Sequence, residues 1–95
     1  VPHLLARLSH PDLELRAKAA EALGEIGADS ALPALRALFD DETQELDVRV
    51  RAAYALALAA RDDAARAWLV EQRDTGRYHA ATIDELLSRI PAEPR

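Results

Sequence analysis

Five acidic side chains within eight residues form the densest group of potential metal ligands in this sequence: Asp40, Asp41, Glu42, Glu45 and Asp47. Hard divalent cations take several oxygen ligands, so the cluster has suitable atoms to hold one. The segment nevertheless lacks the loop glycine and the regularly alternating ligands of a dedicated calcium site. We therefore expect a solvated loop that complements a helix N-terminus or contacts a basic partner.

The remaining polar residues form no catalytic pattern. His3, His10 and His79 lack the two-turn spacing of a metal-binding helix, and no His-Glu dipeptide occurs. The sequence has no glycine-rich phosphate loop and no nucleophile elbow. It also has no cysteine, which rules out disulfides and zinc-thiolate sites. We expect no enzymatic activity, no catalytic residue, no metal and no cofactor.

An internal repeat predicts the elements that position these side chains. The segment LRAKAAEAL at residues 15–23 returns 33 residues later as VRVRAAYAL at 48–56, with five of nine positions identical. The preceding segments, 1–4 and 32–35, repeat at a spacing of 31, so the second unit has two extra residues in its connection. A period in the thirties is typical of a stacked solenoid, in which each unit is one supersecondary element.

The first unit, about 1–27, is predicted to be a pair of helices at 2–9 and 13–26. Asp12 is the expected N-cap of the second helix, and Gly27 the residue that ends it. Helical spacing predicts one buried stripe on that helix: Leu15, Ala19, Ala22, Leu23 and Ile26.

The second and third units, about 28–60 and 61–90, complete a single domain of 95 residues, with a frayed tail at 91–95. Helices are predicted at 31–40 and 46–60, with Asp29 or Ser30 as candidate caps. Asp62 or Asp63 is expected to cap the next helix, which runs to about 72. The last helix carries an apolar stripe and a candidate Thr82–Glu85 capping box, with a start as early as Tyr78 as the alternative. The stripe is Ile83, Leu86, Leu87 and Ile90.

The units resemble HEAT repeats, in the short form often called HEAT-like or PBS-lyase-type. That pattern opens with apolar-Pro-x-Leu, passes an Asp turn, and continues as apolar-Arg-x-x-Ala-x-x-Ala-Leu-Gly. Residues 1–4, Asp12 and 15–24 match it, as do 32–35 and 48–56. The second unit departs in its longer acidic loop and in having Ala57 where the first has Gly24. The third unit matches poorly.

The resemblance implies an all-α fold, a right-handed α-α superhelix of about two and a half to three HEAT-like repeats. First helices would lie on its convex side and second helices on its concave side. Because Val1 already lies inside a repeat whose capping residues are missing, we also expect a fragment of a longer chain.

Arg16 and Arg49 occupy equivalent places at the start of the two second helices. An arginine there can bind an anionic ligand. It can also reach an acidic group of the neighbouring unit and cover apolar surface with its stem. We expect the structural role for both.

The outward face of the second helices differs between the units. Where the first unit has Ala17, Lys18, Glu21 and Glu25, the second has Val50, Arg51, Tyr54 and Leu58. Exposed apolar and aromatic residues beside charged ones have the composition of a binding hot spot. The predicted partner-binding ridge is Lys18, Glu21, Val50, Arg51, Tyr54 and Leu58. The alternative is that the third unit, through Tyr78 or the tail, covers them.

These observations favour a non-catalytic scaffold that binds a segment of a partner protein on the concave face. A formal net charge of −5 opposes general affinity for nucleic acid or anionic membranes. No apolar run reaches the ~20 residues that span a bilayer, and no signal peptide is visible. We expect a cytoplasmic protein.

Two other functions stay open. One is a nucleic-acid-binding solenoid that uses Arg16, Lys18, Arg49 and Arg51. The other is an accessory domain of a larger enzyme such as a chromophore lyase. Self-association through exposed solenoid ends is compatible with each of these.

Overall fold

The computed structural model describes residues 2–91 and consists of three consecutive helix pairs. The helices are α1 (Pro2–Arg7), α2 (Leu13–Ile26), α3 (Leu32–Asp40), α4 (Leu46–Ala59), α5 (Asp63–Asp74) and α6 (Ala80–Ser88). A 3₁₀ turn, Asp29–Ala31, precedes α3. The described residues contain no strand, so the all-α prediction is confirmed. Most of the predicted tail, 92–95, lies outside the described residues, as does Val1.

Local signals at the helix ends explain three of the boundaries. The Asp12 carboxylate accepts a hydrogen bond from the Glu14 amide at 2.9 Å, and that of Asp62 accepts from the Ala65 amide at 3.0 Å. Gly27 ends α2 in the left-handed region, with a φ of 75°. These three predicted roles are confirmed, since the side chains and the glycine satisfy backbone groups that a helix end leaves unpaired.

Two other predicted caps are wrong. Asp29 and Ser30 lie inside the 3₁₀ turn, and α3 begins after it without a side-chain cap. The last helix begins at Ala80, two residues before Thr82, so Thr82 and Glu85 lie within its first turns and form no capping box. The α3 helix follows a 3₁₀ turn, whereas α6 follows the extended residue His79, which makes no side-chain cap.

The centre of the fold is α4, against which α2, α3, α5 and α6 all pack. Residues 48, 50 and 52–57 of this helix are buried. A helix with apolar residues on more than one side is stable only when several other elements cover it. The second unit therefore carries the core to which the other two units attach.

The first and second units meet where α2 and α4 approach each other most closely, at Gly24. A Cβ atom on Gly24 would lie 2.5 Å from the Cα and 2.6 Å from the Cβ of Ala55. Only glycine permits such an approach without displacing the neighbouring backbone. The expected stacking of the units through their second helices is thus confirmed.

This approach also corrects the predicted stripe of α2. Ala17, expected on the wet face, is buried, whereas Ile26, expected in the stripe, has an exposed fraction of 57%. The buried face is centred on the small residues Ala17, Ala20 and Gly24, which share one side of the helix and allow α4 to come close. In the stripe predicted for the last helix, by contrast, Ile83 and Leu86 of α6 are buried, as is Ile90 just beyond it, and Leu87 is half-buried.

No helix among residues 2–91 combines the length and the hydropathy that crossing a membrane would require.

Candidate partner-binding site

The predicted partner-binding ridge is not an exposed surface of the folded chain. Val50 has an exposed fraction of 0% and Tyr54 of 1%, so the expectation that both project into solvent is wrong. The ridge residues that keep some exposure are Lys18, Glu21, Arg51 and Leu58. The physical reason is the central position of α4, which α2 and α6 both cover. The alternative expectation, in which the third unit lies over these residues, agrees with this arrangement.

A line of ion pairs and hydrogen bonds runs between α2 and α4 where the ridge was expected. Arg51 Nε donates to Glu21 Oε1 at 3.0 Å. One turn further on, the Tyr54 hydroxyl donates to Glu25 Oε2, also at 3.0 Å. Burial, followed by this hydrogen bond to a carboxylate, raises the pKa of the Tyr54 phenol above its usual range. These polar groups join the two units instead of facing a partner.

An open cleft remains where α2 and α4 begin. It has a volume of about 390 Å³, and we call it the α2–α4 cleft; its lining residues are Leu13, Glu14, Ala17, Lys18, Asp47, Arg51 and Tyr78. Gly24 and Ala55, the point of closest approach, both lie in the later halves of their helices. The cleft therefore lies at the end of the helix pair away from this contact. It contains two of the predicted ridge residues, Lys18 and Arg51.

The walls of the α2–α4 cleft carry both charges and an aromatic ring. Lys18 Nζ lies 3.6 Å from Glu14 Oε2, a long ion pair between two well-exposed side chains. The Tyr78 hydroxyl donates to Asp47, and burial together with this bond raises the pKa of Tyr78. Arg51 Nη1 is buried and has no hydrogen-bond partner within the described residues. The cleft thus combines apolar surface with charged groups of both signs.

A second groove lies on the other side of the first and second units, between α1 and α3. Its apolar lining is Leu5, Leu8, Ala34, Ala37 and Leu38. It contains none of the six residues of the predicted partner-binding ridge, although Arg16 and Asp41 of the acidic loop line its polar edge. The α2–α4 cleft is therefore the better candidate site.

Arg16 and Arg49 have the structural roles expected of them. Arg16 Nη2 pairs with Glu45 Oε1 of the second unit at 3.0 Å. Arg49 Nε donates to the Phe39 carbonyl at 3.0 Å, and its guanidinium carbon lies 5.1 Å from the centre of the Trp68 ring. The first arginine joins units one and two, and the second joins units two and three.

The acidic loop between α3 and α4 is folded on itself. The Asp41 carboxylate accepts hydrogen bonds from the Thr43 hydroxyl at 2.6 Å and from its amide at 3.0 Å. These bonds lower the pKa of Asp41. Glu45 and Asp47 are engaged with Arg16 and Tyr78, so they leave the loop toward opposite sides. Within residues 2–91 the acidic side chains form no group arranged to hold a metal ion.

The histidines are dispersed, as their spacing suggested. His10 Nδ1 accepts from the Asp12 amide at 3.0 Å, in the turn between α1 and α2. The His79 ring stacks on Tyr78 with 5.4 Å between the ring centres. Both contacts order loops that precede helices.

One contact has no signal in the local sequence. Arg89, at the end of α6, pairs with Glu21 and Glu25 of α2. These partners lie more than sixty positions away along the chain. Only the tertiary arrangement brings them together.

A comparison with protein-family models agrees with this arrangement of stacked helix pairs and structural arginines. The model of the family described as HEAT repeats matches residues 1–87. The chain belongs to the HEAT repeat family. This match runs through all three units, including the third, whose sequence pattern is the weakest. No curated protein and no solved structure matches the chain.

Proposed function

We propose that this HEAT repeat protein is a non-catalytic scaffold that binds a segment of a partner protein in the α2–α4 cleft. Helical repeats of this family often mediate protein interactions, which supports the general role. The observation that carries the proposed site is the cleft itself. It is an open recess whose apolar wall, formed by Leu13, Ala17 and the Tyr78 ring, is flanked by charged side chains.

The chemistry of the cleft suits a short peptide segment with both apolar and charged residues. Apolar side chains would bury against Ala17 and the Tyr78 ring, and this burial would supply most of the affinity. Lys18 and Glu14 are exposed at the rim, where charged groups contribute chiefly to selectivity and to the rate of association. The proposal places the complex in the cytoplasm, as expected from the sequence.

A nucleic-acid-binding function draws no support from the positions of the basic residues. Arg16 and Arg51 are paired with carboxylates, and the Arg49 guanidinium lies over the Phe39 and Trp68 rings. Lys18 lies beside Glu14. The four cations on which this alternative depends are therefore engaged within the protein and are not free to neutralise a phosphate backbone.

The test begins with the intact chain immobilised as bait, followed by identification of the captured proteins by mass spectrometry. The captured protein is then purified and titrated calorimetrically against two cleft variants, Lys18→Glu and Tyr78→Ala. The matched control is Arg7→Glu, which makes the same charge reversal on an exposed residue of α1 outside the cleft.

We expect both cleft variants to lose about tenfold or more in affinity, equivalent to about 1.4 kcal/mol. Arg7→Glu should bind as the wild type does. Circular dichroism of each variant checks that its helices are intact. The proposed site is wrong if the cleft variants and the control bind the partner equally well. The proposed function is wrong if no protein binds the wild type specifically.

A further inference from the structure

The third unit reaches past its neighbour to contact the first. Arg89 Nη1 lies 2.8 Å from Glu21 Oε2 and 3.3 Å from Glu25 Oε2, both on α2. Its other terminal nitrogen, Nη2, pairs with Glu85 Oε2 of its own helix at 2.8 Å. In a stacked array each repeat normally contacts only the adjacent repeats. A contact from unit three to unit one therefore constrains the curvature of the whole stack.

Arg89 makes every hydrogen bond and ion pair that joins α2 to α6 within residues 2–91. Both helices otherwise pack on α4, which lies between them. The apolar residues that seat α6, Ile83 and Leu86, are buried in the common core. The seat of α6 in the core is thus hydrophobic, whereas the polar contacts that tie it to the first unit are ionic.

The ionic attachment is partly exposed to solvent. The side chain of Arg89 keeps an exposed fraction of 38%, and those of Glu21 and Glu25 keep 24% and 46%. Ion pairs at this degree of exposure are weak and are screened by salt, because the Debye length falls from ~10 Å at 0.1 M to ~3 Å at 1 M. Such a contact can open while the apolar core stays intact.

Tyr54 lies beneath this contact. Its hydroxyl donates to Glu25 Oε2, the same oxygen that Arg89 approaches. The Arg89 guanidinium therefore lies over the later halves of α2 and α4, where Tyr54 is almost fully buried. The α2–α4 cleft, at the other end of these helices, stays open.

We propose that Arg89 is an electrostatic latch that ties the third unit to the first and fixes the curvature of the superhelix. With the latch closed, the concave face is limited to the α2–α4 cleft. With the latch open, the C-terminal end of α6 moves away from α2, and Tyr54 becomes accessible on a wider groove. This inference does not depend on the proposed partner site.

The experiment measures the distance between α2 and α6 directly. Because the chain has no cysteine, Lys18→Cys with Ser88→Cys provides two unique spin-labelling sites on exposed positions of the two helices. Pulsed electron–electron double resonance then gives the distance distribution. The labelled pair is measured in the wild-type background at low and high salt, and at low salt with Arg89→Gln.

The matched control is Arg73→Gln. It removes one arginine charge and the Arg73–Asp84 pair, 2.8 Å long, which joins α5 to α6 within the third unit. We expect a longer and broader distance distribution for Arg89→Gln at low salt, and for the wild type at high salt. Arg73→Gln should keep the wild-type distribution.

The proposal is overturned if Arg89→Gln and the wild type give the same distance distribution at low salt. If Arg89→Gln fails to fold, the double variant Glu21→Gln, Glu25→Gln removes the same contacts from the other side. The α2–α6 distance of the wild type at low and high salt also tests the proposal, without any substitution of Arg89, Glu21 or Glu25. A distribution that is insensitive to salt and to the double variant contradicts the latch equally.

Discussion

Gly24→Ala tests the packing of the first two units, because two physical effects change the free energy of unfolding in opposite directions. In a helix interior alanine is favoured over glycine by about 1 kcal/mol, so propensity alone predicts a more stable protein. The new methyl group would, however, lie 2.5 Å from the Cα and 2.6 Å from the Cβ of Ala55. Real Cβ atoms do not approach backbone carbon this closely, so α2 and α4 would have to separate.

The size of the effect follows from these two terms. Overpacking a well-filled core costs about 1–3 kcal/mol, and the upper half of that range applies because one contacted atom is backbone. When the gain of about 1 kcal/mol in helix propensity is subtracted from this cost, the free energy of unfolding should fall by about 1–2 kcal/mol. For a domain of this size the melting temperature should then fall by roughly 4–16 °C.

Urea denaturation followed by circular dichroism measures this difference. The control is Ala67→Gly at an exposed position inside α5, which calibrates the propensity term in this protein and should cost about 1 kcal/mol. If Gly24→Ala stabilises the protein by about as much as Ala67→Gly destabilises it, the close approach of the two helices is refuted.

Three further predictions concern single residues. Arg61 has a φ of 54° directly after α4, so Arg61→Gly should raise the free energy of unfolding by about 1 kcal/mol in urea denaturation. Asp62→Ala should lower it by about 1–2 kcal/mol through loss of the α5 cap. Burial acts to raise the pKa of Asp62, but hydrogen bonds from Arg36 and the Ala65 amide outweigh it and lower the pKa below 3.8. The stabilisation that the ionised Asp62 provides is therefore full above pH 3.8 and is lost as pH falls through its lowered pKa. If the wild type and Asp62→Ala lose stability equally in acid, this reasoning is contradicted. Tyr54→Phe should cost about 1 kcal/mol by removing the bond to Glu25. Because the pKa of Tyr54 is raised above 10, its contribution is full below pH 10 and is lost as pH rises through the raised value, which denaturation at several alkaline pH values would detect.

The sequence predicts those helices well whose ends carry their own signals. Asp12 and Gly27 enclose α2, and Asp62 opens α5, because each satisfies the helix end through atoms within a few residues. The start of α3 lacks such a signal, since Asp29 and Ser30 are used in a 3₁₀ turn. Local chemistry therefore fixes a helix end only where a nearby side chain or a glycine in the left-handed region completes it.

The burial of Val50 and Tyr54 shows what a repeat pattern leaves out. The repeat pattern predicts a solvent-facing side for their equivalents in the first unit, Ala17 and Glu21, and therefore the same side for the second unit. A repeat pattern predicts how the two helices of one unit pack together, whereas the burial of their other faces depends on the neighbouring units. The signal that was available is the composition of α4, which has apolar residues on all sides and is therefore typical of a surrounded helix.

The sequence also contains a signal for the close packing of α2 against α4, at Gly24. A glycine inside a helix is costly unless it serves a purpose, and here it lies among alanines on the face that meets α4. The contact of Arg89 with Glu21 had no comparable signal. It joins residues 68 positions apart through the curvature of three units, which no local pattern encodes.

The central claim is that the first two units stack through their second helices at Gly24 and Ala55, which leaves the α2–α4 cleft open at the other end. A nuclear Overhauser spectrum of the labelled protein tests this most directly. The close approach of α2 and α4 predicts a strong cross-peak between the Ala55 methyl protons and the Gly24 α-protons. Absence of that cross-peak from the spectrum of the folded protein would contradict the stacking and the position of the cleft.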